Sequence, residues 1–274
     1  MLYICPTPIG NLEDITIRVL NTLKSVDYIA CEDTRHTIKL LNHYEIKNKL
    51  ISIHEHNEFA KKEEIINDLR EGKNIALVSD AGMPGIQDPG KIIIEAAIEN
   101  GLEFTVLPGA CAFVTAAIGS GIVEEEFTFV GFLPRKSKDR INILQRYSAY
   151  RGELVFYESP HRINSFLEDV RKVLGNRNIV LAREITKKFE TYHRSDIDGL
   201  IEYAEKNSSK GELVIVIKGK AEEVSLEYTD LDIENYITKK LEEGMSKKDA
   251  VKQVSKELEI SKNRVYEIAM KIDN

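Results

Sequence analysis

Two aspartates in one glycine-rich stretch are the first residues that could do chemistry. Asp80 and Asp88 lie in Val78-Ser-Asp-Ala-Gly-Met-Pro-Gly-Ile-Gln-Asp-Pro-Gly90, between an apolar run and a helical pattern. Small and turn-forming residues between the two acids let a ligand approach the backbone closely. The stretch suits a polar, partly cationic ligand, and a tight strand-to-helix connection with a capping residue is the alternative.

Polar motifs also follow the other apolar runs of the first 110 residues. Together with the start of the glycine-rich stretch, the five motifs are Pro6-Thr-Pro-Ile-Gly-Asn11, Glu32-Asp-Thr-Arg35, His54-Glu-His-Asn57, Ser79-Asp-Ala-Gly82 and Pro108-Gly-Ala-Cys-Ala112. Each apolar run predicts a buried strand, and helical spacing between the runs predicts crossover helices and a parallel sheet. Because the carboxyl ends of parallel strands share one edge of the sheet, we expect the motifs to converge on one crevice.

The expected elements of this open α/β domain alternate regularly. The strands are 2–5, 26–31, 50–53, 75–78 and 104–107, and the helices are 14–24, 34–44, 60–71 and 91–100. Residues 104–123 carry no charge, but glycines and a proline interrupt them, so they predict a strand, a turn and a buried helix rather than a membrane span.

The pattern changes after Gly121 and predicts a second, α+β domain. Its strands are 127–132, 153–158, 178–184, 189–194 and 212–218, and its helices are 138–150, 163–174 and 197–206. The third and fourth strands are too close for a crossover, so they predict a hairpin and a mixed sheet. Two further strand-end motifs make these residues candidates for an active site: Glu158, His161, Arg162, Arg183, Glu184 and Lys187.

Two polar clusters of the first domain allow more than one interpretation. The pattern His54-Glu-His56 could bind a metal ion, but no further ligands are spaced for zinc, and we expect no metal. Glu32, Asp33 and Arg35 form either a surface ion pair with a helix cap or part of a substrate site.

The charge distribution argues against a protein coated in positive charge. Net charge is −7, from 38 basic and 45 acidic residues. Residues 135–151 are the local exception, with the single acid Asp139 among Arg135, Lys136, Lys138, Arg140, Arg146 and Arg151. Such a run is either a solvated helix face or a contact to a phosphate backbone.

Cysteine usage and the N-terminus favour a reducing compartment. The three cysteines are widely spaced beside apolar runs, which predicts free thiols. The first residues lack a basic leader and a signal-like apolar core, so we expect a cytoplasmic protein.

The end of the chain predicts a small separate module. Residues 221–232 are acidic and aperiodic, as in a linker, and 246–274 predict two helices joined by a turn at 259–261. This helix-turn-helix pattern is compatible with a nucleic-acid contact or with a packing or dimerisation tail.

Seven motifs in order resemble the tetrapyrrole methylase superfamily of S-adenosylmethionine-dependent methyltransferases. They are Pro6–Leu12, Cys31–Arg35, His54–Asn57, Ser79–Gly82 with Asp88–Gly90, Gly131–Arg135, Tyr157–Arg162 and Ala182–Lys187. Within the superfamily, the chain is most similar to enzymes that methylate the ribose 2′-hydroxyl of a cytidine in small-subunit ribosomal RNA. The resemblance implies two α/β domains with the methyl donor in the cleft between them, a homodimer and a C-terminal helical module. The sequence pattern gives the domains as 1–112, 113–220 and 233–274, with 221–232 as the linker.

Residue roles follow from the resemblance together with side-chain chemistry. The methyl donor S-adenosylmethionine is expected on Pro8, Ser79, Asp80, Gly82, Ala110, Cys111, Phe132 and Leu133. Catalytic proton removal is expected from Glu158, His161, Glu184 or Lys187, and RNA contacts from Arg35, Arg135, Lys136, Arg140, Arg162 and Arg183. Met83 and Cys111 stand where the family often has hydroxyl side chains, so hydroxyl contacts there are lost.

Two other functions remain open from the sequence. A tetrapyrrole-precursor methyltransferase would share the donor cleft, but the basic run 135–151 and the helical tail favour RNA. A non-catalytic RNA-binding or ribosome assembly protein would have no need of the loop around Asp80 and Asp88.

Overall fold

The first sheet has five parallel strands in the order β3-β2-β4-β1-β5. A computed structural model describes residues 1–54, 57–207, 210–221 and 228–272 of the chain. The strands are β1 Leu2–Ile4, β2 Tyr28–Cys31, β3 Leu50–Ser52, β4 Ile75–Val78 and β5 Phe104–Val106. Every residue of β2 and β4 is buried, because crossover helices cover both faces of a parallel sheet.

Four helices connect these strands, as the spacing predicted. They are α1 Ile17–Ser25, α2 Thr34–His43, α3 Glu58–Arg70 and α4 Lys91–Glu99. Side-chain caps start two of them: Thr16 accepts from the backbone N–H of Val19, and Asp33 accepts from that of Arg35. Since β1 lies between β4 and β5, the loops after these three strands are neighbours in space.

The second sheet is mixed and has the order β6-β7-β10-β8-β9. Its strands are β6 Phe127–Phe132, β7 Glu153–Glu158, β8 Asn178–Arg183, β9 Thr191–Asp196 and β10 Leu213–Ile217. Only β6 and β7 are parallel in this sheet, and β8 and β9 form the predicted antiparallel hairpin. The strand β9 begins two residues after its expected start at 189, because 184–190 form the connecting loop.

Helices cover both faces of this second sheet. They are α5 Ala112–Ser120, α6 Ser137–Gln145, α7 Ile163–Leu174 and α8 Ile197–Lys206. The short apolar helix α5 packs on one face with Val155, Val180 and Val216. Phe156 and Phe166 fill the other face, with ring centroids 5.4 Å apart. The uncharged segment 104–123 is thus a strand and a helix, as expected, but the prediction of a buried helix is wrong for one face of α5, where Val114 and Ile118 are exposed.

The loop after β1 lies directly against the loop after β8. A Cβ on Gly10 would be 2.5 Å from Cγ of Lys187 and 2.9 Å from the carbonyl oxygen of Ile185. Only glycine allows this approach, so the loops after β1 and β8 contact each other closely beside the strand ends.

The chain divides into two units, Met1–Ala221 and Glu222–Asn274. Both sheets lie in the first unit. The second contains three helices among its described residues, α9 Asp230–Glu242, α10 Lys247–Glu257 and α11 Lys262–Ala269, around Ile233, Val254 and Val265. The linker prediction is wrong at its end, because α9 begins inside it: Thr229 and Asp232 form a capping box. Residues 222–227 lie outside the described residues.

The α/β architecture with a parallel and a mixed sheet is confirmed. The boundary between residues 112 and 113 stays a prediction, and it falls at the first turn of α5. Among the described helices, none is long and apolar enough to cross a membrane.

Candidate active site

A cavity of about 320 Å³ lies where loops at the ends of the two sheets meet. Its wall is made of Ile9, Ala81, Gly82, Met83, Ile86, Gln87, Asp88, Cys111, Ala112, Phe132, Tyr157, Glu158, Ser159, Pro160, Gly211, Glu212, Leu213 and Val214. Most of this wall is apolar, and three carboxylic acids, Asp88, Glu158 and Glu212, interrupt it. None of the described lining residues is basic. The cavity therefore fits an amphipathic ligand with positive charge.

Hydrogen bonds fix the loop after β4 from both ends. At its start, the backbones of Thr7 and Gly82 exchange two hydrogen bonds of 2.9 and 3.0 Å, which tie it to the loop after β1. At its end, the N–H of Gly90 donates to the buried carboxylate of Glu58 at 2.8 Å. Gly82 and Gly90 both have positive φ, at 76° and 128°, which the backbone needs to turn here.

Asp80 connects this loop to helix α2 and does not belong to the cavity wall. One carboxylate oxygen accepts from the N–H of Asp33 at 3.0 Å, and the other lies 3.0 Å from Nδ1 of His36. The side-chain nitrogen or oxygen atoms with which Asp33, His36 and Asp80 could coordinate a metal ion lie within 4.8 Å of one another. The carboxylate of Asp33 is also bound by Arg35, which holds its pKa at about 2, so these contacts account for the cluster without a metal ion.

Asp88 lies on the cavity wall, half-buried. Burial raises its pKa to about 7, and the neighbouring carboxylates of Glu32 and Asp80 add to the effect. Glu32 belongs to the motif whose role the sequence left open, and its own pKa is raised mainly by burial.

Glu158 ends β7 on the wall of the cavity and is only 2% exposed. Its Oε1 accepts from the N–H of Ser159 at 2.7 Å and lies 3.2 Å from Nε of Arg162. Its Oε2 has no hydrogen-bond partner. Burial raises the pKa of this carboxyl despite the nearby arginine. The Glu158 side chain is shielded from solvent, so this buried oxygen beside the cavity has no partner among the described residues.

Glu184, Lys187 and Glu212 form an ion-paired cluster beside the cavity. Nζ of Lys187 lies 3.0 Å from Glu184 and 3.2 Å from Glu212. Burial lowers the pKa of Lys187, but the two carboxylates outweigh it and raise the pKa overall. The pKa of Glu184 is lowered, first by the backbone N–H of Glu212. Lys187 therefore stays protonated near neutral pH and is a poor proton acceptor.

His161 is exposed in the turn before α7, three residues beyond Glu158. It is not among the residues that line the cavity. Of the expected proton acceptors, the structure therefore brings only Glu158 onto the cavity wall.

The residues expected to bind the methyl donor divide into two groups. Gly82, Cys111 and Phe132 line the cavity. Pro8, Ser79, Asp80, Ala110 and Leu133 surround it without forming its wall. Ser79 is buried beneath the loop, where its hydroxyl donates to the carbonyl of Ala81, and Leu133 is part of the core of the second sheet.

Two of the arginines expected to contact RNA have structural partners instead. Arg140 is 2% exposed, and its guanidinium binds Asp169 at 2.7 Å. This burial is incompatible with an RNA contact, so that prediction is wrong for Arg140. Arg162 pairs with Glu158 and donates to the carbonyl of Leu133 at 2.6 Å, which fixes the β6–α6 loop.

The remaining expected RNA contacts are accessible. Arg135 and Lys136 are exposed in the loop before α6, shortly after Phe132 of the cavity wall. The side chain of Arg35 is 87% exposed although it pairs with Asp33. Arg183 is half-buried and donates to the hydroxyl of Thr191 at 3.3 Å.

Several wall residues were not predicted. Asp88 lies in the stretch that the sequence indicated as a ligand site, but Asp80 of the same stretch was the aspartate expected to bind the donor. Tyr157 precedes Glu158 at the end of β7, whereas Glu212 directly precedes the start of β10, which runs antiparallel to β7 and so begins beside Glu158. Of the motif His54-Glu-His-Asn57, residues Glu55 and His56 lie outside the described residues.

Comparison with known proteins identifies the family of this chain. Residues 1–201 match the family model of Tetrapyrrole (Corrin/Porphyrin) Methylases. The chain belongs to this family. Among the similar structures, that of the methyltransferase CobJ has a TM-score of 0.63 at 18% identity and covers 80% of this chain and 94% of that one. Diphthine synthase has a TM-score of 0.64 at 13% identity, covering 80% and 90%. These two likenesses confirm the tetrapyrrole methylase fold.

Curated relatives within the family are more similar in sequence. A Halalkalibacterium halodurans protein named Ribosomal RNA small subunit methyltransferase I is 43% identical, over 97% of this chain and 93% of its own. The Bacillus subtilis protein of the same name is 42% identical over the same shares. A Synechocystis relative with that name is 38% identical over 100% of this chain. The prediction of a methyltransferase is thereby confirmed.

Proposed function

We propose that this tetrapyrrole methylase family member transfers a methyl group from S-adenosylmethionine to the ribose 2′-hydroxyl of a cytidine in small-subunit ribosomal RNA. The observation that carries the proposal is the cavity: an apolar wall with three carboxylic acids and no basic side chain among its described residues. Such a wall complements a ligand with an apolar body and positive charge, and it would repel a phosphate.

S-adenosylmethionine meets both requirements of the cavity. When bound, it supplies an electrophilic methyl group on a positively charged sulfur. Its aromatic and aliphatic parts match Ile86, Phe132, Tyr157 and Leu213 on the wall. Backbone groups of the loop after β4 are fixed by hydrogen bonds, so they offer preorganised contacts.

The names of the curated relatives support ribosomal RNA as the acceptor. Exposed basic side chains at Arg35, Arg135 and Lys136 supply charge for the phosphate backbone in an otherwise acidic protein. The donor and the acceptor thus have separate, oppositely charged surfaces. A ribosomal substrate also supports the cytoplasm as the place of action.

Glu158 is the group best placed to accept the proton of the ribose hydroxyl. Glu158 belongs to the cavity wall, its buried Oε2 has no hydrogen-bond partner, and Ser159 and Arg162 hold Oε1. Because burial raises the pKa of Glu158, its carboxylate is a stronger base than an exposed glutamate. Glu158 would take up the hydroxyl proton as the methyl carbon leaves the donor sulfur, which becomes a neutral thioether, and bonds to the ribose oxygen.

Replacing Glu158 should separate chemistry from binding. We expect Glu158→Gln to lower the methylation rate by about 10²- to 10⁴-fold, because the amide cannot accept the proton. Titration calorimetry should show donor affinity within about twofold of the parent. Glu168→Gln, an exposed glutamate of α7, is the matched control. A Glu158→Gln variant with parental rates would exclude this glutamate as the base.

A homodimer fits the edge of the first sheet. The strand β5 is the last in its sheet and leaves Val106 49% exposed. Val114 and Ile118, one helical turn apart on α5, are 43% and 73% exposed. An exposed strand edge and a nearby apolar helix face are features that a symmetric second copy covers.

One assay tests the function directly. The full chain is incubated with donor carrying a labelled methyl group and with small ribosomal subunits, their naked RNA, or a tetrapyrrole precursor. Label in RNA that is recovered as 2′-O-methylcytidine by mass spectrometry supports the proposal. Transfer to the tetrapyrrole alone would overturn it, and so would label on a base.

A further inference from the structure

We propose that Asp88 binds the positively charged sulfur of the methyl donor, and that this contact lets the cavity discriminate the donor from its neutral thioether product. The inference rests on the proposed function, and it assigns the source of donor preference to one side chain.

The geometry of Asp88 is that of an anion with no partner. Its carboxylate lies on the cavity wall, and it has neither a hydrogen bond nor an ion pair with any described residue. The other two acids on the wall have nearby cations: Arg162 for Glu158 and Lys187 for Glu212. The negative charge of Asp88 is thus the one on the described wall that is left uncompensated.

The groups around Asp88 strengthen this negative site. Glu32 after β2 and Asp80 after β4 are the charged neighbours that oppose its ionisation. Across the cavity the titratable groups are Cys111, Tyr157, Glu158 and Glu212, and none of these is basic. Asp88 in turn helps to raise the pKa of Tyr157. A cation placed here would relieve repulsion on every side.

A second observation shows that the cavity is built for a polar ligand. Glu158 of the same wall is only 2% exposed, and its buried Oε2 has no hydrogen-bond partner. Buried polar atoms are rarely left unsatisfied unless a ligand or water completes them.

The surroundings favour the sulfonium over the donor's ammonium group. The ammonium belongs to an amino acid and sits beside its own carboxylate, which Glu32, Asp80 and Asp88 would repel. A sulfonium carries no adjacent anion and donates no N–H bonds, so an apolar wall with one carboxylate suits it. Met83 and Ile86 provide such a wall beside Asp88.

This assignment predicts that donor affinity depends on pH, because Asp88 must lose its proton to bind the sulfonium. In the free chain the pKa of Asp88 is about 7, so near neutral pH a fraction of the molecules carry a proton there. Because the sulfonium binds the ionised form, donor affinity should rise with pH through that value and then level off. The neutral product should show no such rise.

Titration calorimetry on the full chain tests the inference, with S-adenosylmethionine and S-adenosylhomocysteine as the two probes. At about pH 8 we expect Asp88→Asn to weaken donor binding by on the order of tenfold and product binding by less than about twofold. The parent's donor affinity should rise between about pH 6 and about pH 8 and that of the variant should stay flat. Asp88→Glu, which keeps the charge, should retain the preference for the donor.

The outcomes are distinguishable. Glu95→Gln, which removes one exposed charge on α4, is the control for a change in net charge. If Asp88→Asn weakened the binding of both ligands equally, Asp88 would contact the ammonium or the adenosine, which both ligands share, and the inference would be overturned. Unchanged donor affinity would overturn it as well. A parent chain that binds neither ligand would instead refute the proposed function on which the inference rests.

Discussion

The carboxyl group of Asp88 makes the folded chain more stable when it is protonated than when it is ionised. Its pKa is raised to about 7 from 3.8, so the folded state binds this proton more tightly than the unfolded state. The resulting stability is fully present below about pH 4 and is lost as pH rises through about 7. Ligand-free protein above that pH therefore bears the repulsion from Glu32 and Asp80.

Asp88→Asn should consequently stabilise the ligand-free protein at alkaline pH. The amide cannot ionise, so the melting temperature should exceed that of the parent at about pH 8, and the difference should shrink toward about pH 4. Thermal unfolding followed by circular dichroism measures it. An equal melting-temperature difference at both pH values would show that the titration of Asp88 is not the cause.

At the scale of residues, the sequence located the stretch that forms the site but not the partners of its side chains. It singled out the stretch with both aspartates, but Asp80 faces His36 while Asp88 faces the cavity. Which acid points inward depends on backbone angles such as φ 62° at Gln87, a value that glycine adopts more readily than glutamine. Nothing in the residue types indicates that turn.

Helix α6 shows the same limit at the scale of an element. The basic run 135–151 predicted one phosphate-binding segment, but the helix turns Arg140 inward to Asp169, which lies 29 residues further along the chain. Arg135 and Lys136 precede the helix and stay exposed. A run of like charges is therefore divided by the helical repeat into structural and accessible members.

We expect substitutions of the accessible and of the structural members of this run to have different effects. Replacing Arg135 and Lys136 together by glutamine should weaken RNA binding and reduce the slope of log affinity against log salt by about 1.4, for two single-strand phosphates. Filter binding across a salt series measures it. Donor affinity should not change.

Arg140→Gln is the contrast within the same run. It removes one partner of a buried ion pair, so it should lower the free energy of unfolding by about 3–5 kcal/mol. The salt slope of the remaining folded protein should match the parent. A reduced slope would mean that Arg140 contacts RNA after all.

Other elements were predictable because their signals are local. Strand alternation and the β8–β9 hairpin follow from spacing alone, and the structure confirms both. Helix α9 was missed although Thr229 and Asp232 stand at capping-box spacing, because the acidic segment before it was interpreted as aperiodic.

For the whole molecule, the exposed apolar surface of β5 and α5 predicts association. Ile118→Glu places a charge where the proposed homodimer would bury an apolar side chain, so it should shift the mass measured by light scattering from dimer to monomer. Ile98→Glu is the control, since Ile98 is also exposed, at 58%, but lies on α4. If both variants or neither dissociate, this face is not the interface.

The contact at Gly10 determines when the site can form during synthesis. Its partners are residues 185–187, and the cavity wall runs from Ile9 to Val214. A nascent chain that has emerged only as far as the first sheet has the loop after β4 but lacks the wall that faces it. The complete cavity wall, and with it the proposed methyl-donor site, should therefore form late in translation, after β10 has left the ribosome.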